Sequence, residues 1–197
     1  MAYPDFTLEN KLPGVIAGVD EVGRGPLAGP VMSAAVVLTD RVIIKGINDS
    51  KKLTAKNRQV LYEKIMSVAK FSVGIASVEE INSYNILQAT KLSMERALMD
   101  LGLELDYVLV DGNQLPKVKW QVKPVVNGDN LSILIAAASI VAKVTRDQLM
   151  QELHNKYPEY NWYKNKGYGT KEHIDAINLY GVTEHHRKNF APILKLR

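Results

Sequence analysis

Residues Val15 to Val19 form an unbroken apolar run that ends on two adjacent carboxylates, Asp20 and Glu21, and then meets Gly23-Arg24-Gly25. A run of this composition reads as a buried strand, and the glycines that follow force a tight turn at its end. Two acids behind a buried strand are costly unless they are paired or hold a cation. Strand, paired acids and a tight cationic loop are what a metal site beside a phosphate requires. Carboxylate oxygens suit a hard divalent cation. Exposed backbone N–H groups and a guanidinium suit the anion which that cation polarises.

The chain has 197 residues, enough for one well-buried core and short for two domains. Its 46% hydrophobic and 23% charged residues are ordinary for a globular protein. No apolar stretch approaches the roughly 20 residues a membrane helix needs. The opening MAYPDFTLENKLPG carries acids and a proline where a secretion signal would be basic and then apolar. With no cysteine, thiolate metal sites, cysteine nucleophiles and disulfides are excluded, and a cytoplasmic location is expected. The net charge of +4 is uneven: from Lys117 onward 13 Lys/Arg face 7 Asp/Glu, whereas the earlier part is slightly acidic. A carboxylate site beside a polyanion-binding face fits that split, and so does plain solvated surface charge.

Strands are expected at Gly14–Val22 and Val31–Leu38, joined by the Gly/Pro-rich turn, with a third candidate at Val42–Ile47 and a fourth at Phe71–Ala76. Thr54 caps a helix running to about Ala69. Ser77 and Glu80 have capping-box spacing, and a longer helix covers about Ile86 to Leu101. Tyr107–Val110 is a short strand that delivers Asp111, and Val122–Val126 is another. A long helix follows over roughly Leu131 to His154, with small residues at Ala136 to Ser139. Tyr157–Gly169 reads as a loop, and Lys171–Tyr180 as a last helix stopped by Gly181. The expectation is an α/β fold in which helices flank a mixed sheet, as one domain whose basic, helical C-terminal extension covers about residues 155–197.

Asp20, Glu21, Asp111 and Asp129 all stand where a strand ends or a helix begins, the places where such folds gather their chemistry. Cations about 4 Å apart, bridged by carboxylates, can activate water and stabilise the leaving oxygen in phosphodiester hydrolysis. Duller readings exist: Asp129 as a helix N-cap, Asp111-Gly112-Asn113 as a turn, Asp20-Glu21 as an exposed strand end. Neighbours on a regular strand point to opposite faces. Either the strand breaks at Glu21, or Glu21 offers its backbone carbonyl to the ion.

Six stretches together resemble bacterial ribonuclease HII, the type 2 ribonuclease H family. They are GVDEVGRGPLAGPV (Gly18–Val31), NDSKKL (Asn48–Leu53), VLVDGN (Val108–Asn113), AAASIVAKVTRD (Ala136–Asp147), KGYGT (Lys166–Thr170) and TEHHR (Thr183–Arg187). The resemblance implies a ribonuclease H-like fold and a metal-dependent endonuclease, with Mg²⁺ or Mn²⁺ as the cation. Such an enzyme cuts RNA in RNA–DNA hybrids and at single ribonucleotides embedded in duplex DNA, leaving 5′-phosphate and 3′-hydroxyl ends. By motif match Asp20, Glu21, Asp111 and Asp129 fall on the family's four metal-binding, catalytic acids. Gly23, Arg24 and Gly25 fall on its Gly-Arg-Gly loop, and Tyr168 on its ribonucleotide-sensing tyrosine. Two glycines let backbone groups approach a 2′-hydroxyl, and a tyrosine ring stacks on any base.

Ser139, Lys143 and Arg146 share a stripe of the long helix that would bind backbone phosphates, or be a solvated face. Lys51 and Lys52 beside Ser50 suggest a further phosphate contact. His185 and His186 read as a structural or substrate-facing element rather than as metal ligands. The chain departs from the family at Asn127, Leu131 and Lys188-Asn189, which bears on affinity and salt dependence rather than on any ligand. The expected partners are hybrid and ribonucleotide-containing duplex, with no membrane, no evident protein partner and a monomeric state. The rival readings are a related nuclease on all-DNA structures, a non-catalytic hybrid-binding module and a small-molecule phosphatase.

Overall fold

The computed structural model describes residues 3–38 and 42–195. Among the described residues five strands form one sheet: β1 Ile16–Val22, β2 Val31–Val37, β3 Lys70–Ala76, β4 Tyr107–Asp111 and β5 Gln121–Val125. Their order across the sheet is β3-β2-β1-β4-β5. The first three strands are an antiparallel meander, with Gly18 opposite Val36 and Ala35 opposite Ser72. β4 and β5 then add in parallel, with Val19 beside Val110 and Val110 beside Pro124. The sheet is therefore mixed, and its central strands are buried on both faces, as their Val, Ile and Ala content demands.

Two helix layers cover it. α1 (Ala55–Val68) begins at Thr54, whose hydroxyl accepts the Asn57 N–H at 3.2 Å. α2 (Val78–Tyr84) opens on a reciprocal capping box: Ser77 N–H donates to Glu80 at 2.8 Å and Glu80 N–H to the Ser77 hydroxyl at 3.2 Å. α3 (Ile86–Asp100) turns Met94, Ala97 and Leu98 onto the face of the sheet that carries Ala17, Val19, Ala35 and Val37. α4 (Ile133–Lys156) lies on the other face with α1, and its Ile135, Ala136 and Ile140 pack with Ala34, Val36 and Ile65. Each large aliphatic side chain buried there contributes about 1.5–3 kcal/mol.

The contact between α4 and β1 depends on one missing side chain. A Cβ on Gly18 would stand 2.3 Å from the Leu134 carbonyl carbon and 2.5 Å from the Ile135 nitrogen. Only glycine lets the first turn of α4 rest directly on β1. That contact fixes the start of α4, and with it Asp129, relative to the end of β1.

The C-terminal part continues with α5 (Trp162–Asn165), α6 (Lys171–Tyr180) and α7 (Ala191–Leu194). Trp162, Ile177 and Ile193 pack with Met150 and Leu153 of α4 and with Leu27 and Ala28 of the β1–β2 turn. The expected extension is thus built onto the turn that follows the acids; its last residues, 196 and 197, lie outside the described residues. Two expectations change. Val42–Ile47 forms no strand: Ile44 and Ile47 are buried as anchors of a turn at Lys45-Gly46, while Ile43 is 78% exposed. Tyr157–Gly169 is more ordered than a loop, with a 3-10 turn at Pro158–Tyr160 and then α5.

Candidate active site

The acids come from three segments. Asp20 lies on β1 opposite Ala34, and Val19 pairs with Val110, which sets Asp111 at the end of the adjacent parallel strand. Asp129 sits in a 3-10 turn, Gly128–Asn130, just before α4. That turn is tied to β4 because the Gly128 N–H donates to the Asp111 carboxylate at 2.7 Å. Asp20 and Asp129 are both buried.

Burial raises the Asp20 pKa well above the ordinary carboxylate value, and the charges of Glu21 and Asp111 push it further; the Ser139 hydroxyl opposes this by hydrogen bonding. Glu21 is raised by burial as well, with Arg24 pulling it back and Asp111 pushing it up. Asp129 is raised by burial, then by Asp49 and Asp111, against the pull of Lys51. Each of the four predicted acids therefore lies within the field of at least one other, and repulsion is part of what raises the proton affinity of Asp20, Glu21 and Asp129.

Each carboxylate is also held by a donor of its own. Asp20 accepts the Glu21 N–H at 2.7 Å, Glu21 accepts Arg24 Nη1 at 3.2 Å, and Asp129 accepts Asn130 Nδ2 at 2.7 Å. Among the described residues, no three His, Cys, Asp or Glu side chains lie close enough together to form a closed ligand set. The strand does not break at Glu21, since β1 continues to Val22 in register with Met32. Asp20 and Glu21 accordingly leave opposite faces of β1, and of the two expected arrangements only the backbone carbonyl of Glu21 avoids that geometry.

The Gly-Arg-Gly turn begins with Gly23 at φ +93°, a conformation open to glycine, and a Cβ there would overlap Arg146 Nε at 2.3 Å. Arg24 is half exposed and pairs with Glu21. The α-carbon of Gly25 faces the Tyr168 ring, where a Cβ would come 3.5 Å from Cε1. Tyr168 itself is 46% exposed. Turn and tyrosine thus form two sides of one open surface.

Two buried arginines hold that surface in shape. Arg187 donates to the carbonyls of Gly23 (2.5 Å), Arg24 (3.0 Å) and Gly29 (2.7 and 2.9 Å). Arg146 donates to the carbonyls of Ala28 (3.0 Å), Pro30 (3.0 Å) and Lys166 (2.9 Å). Burial and the neighbouring Arg146 bring Arg187 down to about 9, which still leaves it charged at neutral pH. The fixed fork of a guanidinium orients several carbonyls at once, which a lysine does not do.

These contacts correct the expected phosphate-binding stripe at Arg146 and Ser139. Arg146 is neither a phosphate ligand nor a solvated side chain, because it is buried in backbone carbonyls. Ser139 is buried between the Ser50 hydroxyl, 2.8 Å away, and the Asp20 carboxylate, so it orients an acid. Lys143 is engaged with Asp147 at 2.7 Å. Lys51 fares differently. Burial lowers its pKa, but Asp20, Asp49, Asp129 and Asp111 outweigh that and raise it, so its ammonium stands over the acids. Asp49 is a site residue that sequence reasoning missed. It is buried, accepts the Lys51 N–H at 2.9 Å, and lies close enough to Asp129 to raise its proton affinity. In the sequence it stands in the NDSKKL stretch, before Ser50-Lys51-Lys52, which reads as a turn with basic residues and not as part of the acidic set.

Comparison with known proteins agrees with this architecture. A family model described as ribonuclease HII matches residues 17–193. The ribonuclease HII of Wolbachia sp. subsp. Brugia malayi (strain TRS) is 87% identical over 195 residues, covering 98% of this chain and 96% of the relative. That of Ehrlichia chaffeensis (strain ATCC CRL-10679 / Arkansas) is 54% identical over 198 residues, covering 96% and 95%. The crystal structure of ribonuclease H2 from Pyrococcus horikoshii OT3 aligns with a TM-score of 0.79 at 25% identity, over 93% of this chain and 97% of that one. The mixed sheet with its flanking helices is the ribonuclease H-like fold, and with relatives this similar along nearly the whole length the chain belongs to the ribonuclease HII family of endoribonucleases.

Proposed function

We propose that this enzyme hydrolyses the RNA strand of RNA–DNA hybrids and cuts at single ribonucleotides embedded in duplex DNA, leaving 5′-phosphate and 3′-hydroxyl ends. The observation that carries this reading is the coupling of Asp20, Glu21, Asp111 and Asp129 in one field beside a turn that faces an exposed tyrosine. The donor chemistry fits Mg²⁺ or Mn²⁺: hard oxygens, no thiol, and carboxylates whose mutual repulsion a divalent cation relieves. When bound, such a cation supplies activated water and stabilises charge at the departing 3′ oxygen.

The protein's own part is positioning. Ser50 and Ser139 orient Asp20 from below. The Gly128 N–H orients Asp111, and Asn130 orients Asp129. Arg24 leaves its pairing with Glu21 to grip a phosphate, and Lys51 offers a second cation over the acids. The backbone beside Gly25 reads the ribose 2′-hydroxyl, which donates and accepts a hydrogen bond, while Tyr168 lays its ring on the neighbouring nucleotide. The basic C-terminal segment supports the duplex beyond the cut. The enzyme works in the cytoplasm as a monomer. Among the described residues no helix is long and apolar enough to cross a membrane.

The test is Asp111→Asn, incubated with a labelled duplex that contains one ribonucleotide, in Mg²⁺ or Mn²⁺. The variant should keep the wild-type circular dichroism spectrum and lose cleavage. Unchanged turnover would overturn the assignment.

A further inference from the structure

Tyr168 is exposed at its ring, but its peptide is held from below by a chain of buried aromatic groups. His173 lies in the first turn of α6 and is buried, as is His186. The Trp162 indole N–H donates to His173 Nε2 at 3.0 Å, so that nitrogen is an acceptor. The ring proton must then sit on Nδ1, which lies 2.9 Å from the Tyr168 carbonyl and donates to it. His186 Nδ1 accepts the Thr183 N–H at 2.9 Å, which leaves its Nε2 proton to face His173 Nε2 at 3.2 Å. Neighbours thus fix both tautomers, and every ring nitrogen has a role.

The chain of contacts continues to the other side of the site. Ala28 pairs with His186 as an isolated bridge, the Gly29 N–H donates to the His185 carbonyl at 2.9 Å, and the Arg187 N–H donates to the Leu27 carbonyl at 2.8 Å. One end of the histidine pair therefore holds the peptide of Tyr168, and the other is built into the turn that carries Gly25. Burial lowers the pKa of His173, and burial with the neighbouring histidines brings His186 to about 3, so both rings are neutral under working conditions.

We propose that His173, backed by His186, is a positioning residue that sets the distance between the Tyr168 ring and the Gly-Arg-Gly turn, and so the preference for a lone ribonucleotide over a long hybrid. The inference rests on the proposed reading of Tyr168 as the contact at the RNA–DNA junction. A displacement of about 1 Å at a positioned group costs on the order of 100-fold in rate. A long hybrid offers many registers in which the turn alone can find a ribose. A single ribonucleotide offers one, and needs the tyrosine in place.

The test compares kcat and KM on a duplex with one ribonucleotide and on a long RNA–DNA hybrid. His173→Phe keeps a ring and loses the donor. It should lower kcat/KM on the lone ribonucleotide at least tenfold and change the long hybrid less than threefold. His173→Asn keeps an amide N–H near the position of Nδ1 and should recover most of the loss. Equal losses on both substrates, or no rescue by Asn, would overturn the proposal. Tyr168→Ala is the control for the reading beneath it. If Tyr168→Ala is selective and His173→Phe is not, only the positioning role fails; if Tyr168→Ala is itself unselective, the junction reading fails. Should His173→Phe not fold, the imidazole ¹⁵N spectrum of the wild type decides in metal-free buffer. The His173 Nδ1–H signal should move with the lone-ribonucleotide duplex and not with an all-DNA duplex. A signal that stays in place with both would overturn the proposal.

Discussion

Replacing Asp20 with asparagine removes one negative charge from the most crowded point of the site while keeping its shape. The asparagine oxygen can still accept the Glu21 N–H that Asp20 accepts at 2.7 Å, and the Ser139 contact can persist. What disappears is the cost of a buried carboxylate in the field of Glu21 and Asp111. The sign follows from the raised pKa. The folded state holds the Asp20 proton more tightly than the unfolded chain, so without metal this group lowers stability as pH rises from about 4 through its folded pKa. The penalty grows with pH over that range, and neutralising poorly compensated buried charge stabilises by about 1–3 kcal/mol. For a chain of this size 1 kcal/mol moves Tm by about 2–4 °C, so Asp20→Asn should melt about 2–12 °C higher than wild type in EDTA. Metal should close or reverse that gap, because ligand at 100 times its Kd adds about 2.7 kcal/mol to a wild type that binds it. The assay is calorimetry at pH 7 in EDTA and in Mg²⁺ or Mn²⁺. A variant that melts lower in EDTA, or that gains as much from metal as the wild type, would refute this reasoning.

Gly18→Ala places a methyl group 2.3 Å from backbone of α4 that cannot rotate away, so it should cost about 1–3 kcal/mol and lower Tm by about 2–12 °C. An unchanged melting curve would mean that α4 does not rest on β1. Acidification should expose the buried histidines. Below about pH 6.5 the unfolded chain gains protons that His173 and His186 refuse, so their contribution to stability falls from there toward about pH 3, where folded His186 itself titrates. Asp20 works in the opposite direction over the acid range, so urea midpoints at pH 7, 5 and 4 should fall more steeply for Asp20→Asn than for wild type. Parallel slopes would contradict the two assignments.

Where the sequence was legible, local chemistry was enough. Thr54 and the Ser77–Glu80 pair announced helix starts that the hydrogen bonds reproduce, and the apolar runs at Ile16 and Val31 are central strands. Val42–Ile47 misled because β-branched composition does not say whether a strand partner is present; here Ile44 and Ile47 serve as anchors of a turn instead. The four acids were visible as strand-end and helix-start positions, but their mutual field depends on the parallel pairing of β1 with β4, which no local pattern encodes. Helical spacing correctly put Ser139, Lys143 and Arg146 on neighbouring turns. It did not show what takes up their polar ends: Asp20 and the Pro30 carbonyl from elsewhere in the chain, and Asp147 from the next turn of the same helix. Asp49 stayed hidden for the same reason, since its nearness to Asp129 spans eighty residues of chain.

In the proposed reading Asp20, Glu21, Asp111 and Asp129 act together on a substrate recognised by its 2′-hydroxyl. The direct measurement incubates the wild-type enzyme with a labelled duplex carrying one ribonucleotide and with the same duplex made wholly of DNA, each with and without Mg²⁺ or Mn²⁺. Cleavage at the ribonucleotide alone, and only when metal is present, is the predicted result. Cutting of the all-DNA duplex, or cutting at the ribonucleotide in the presence of EDTA, would contradict it.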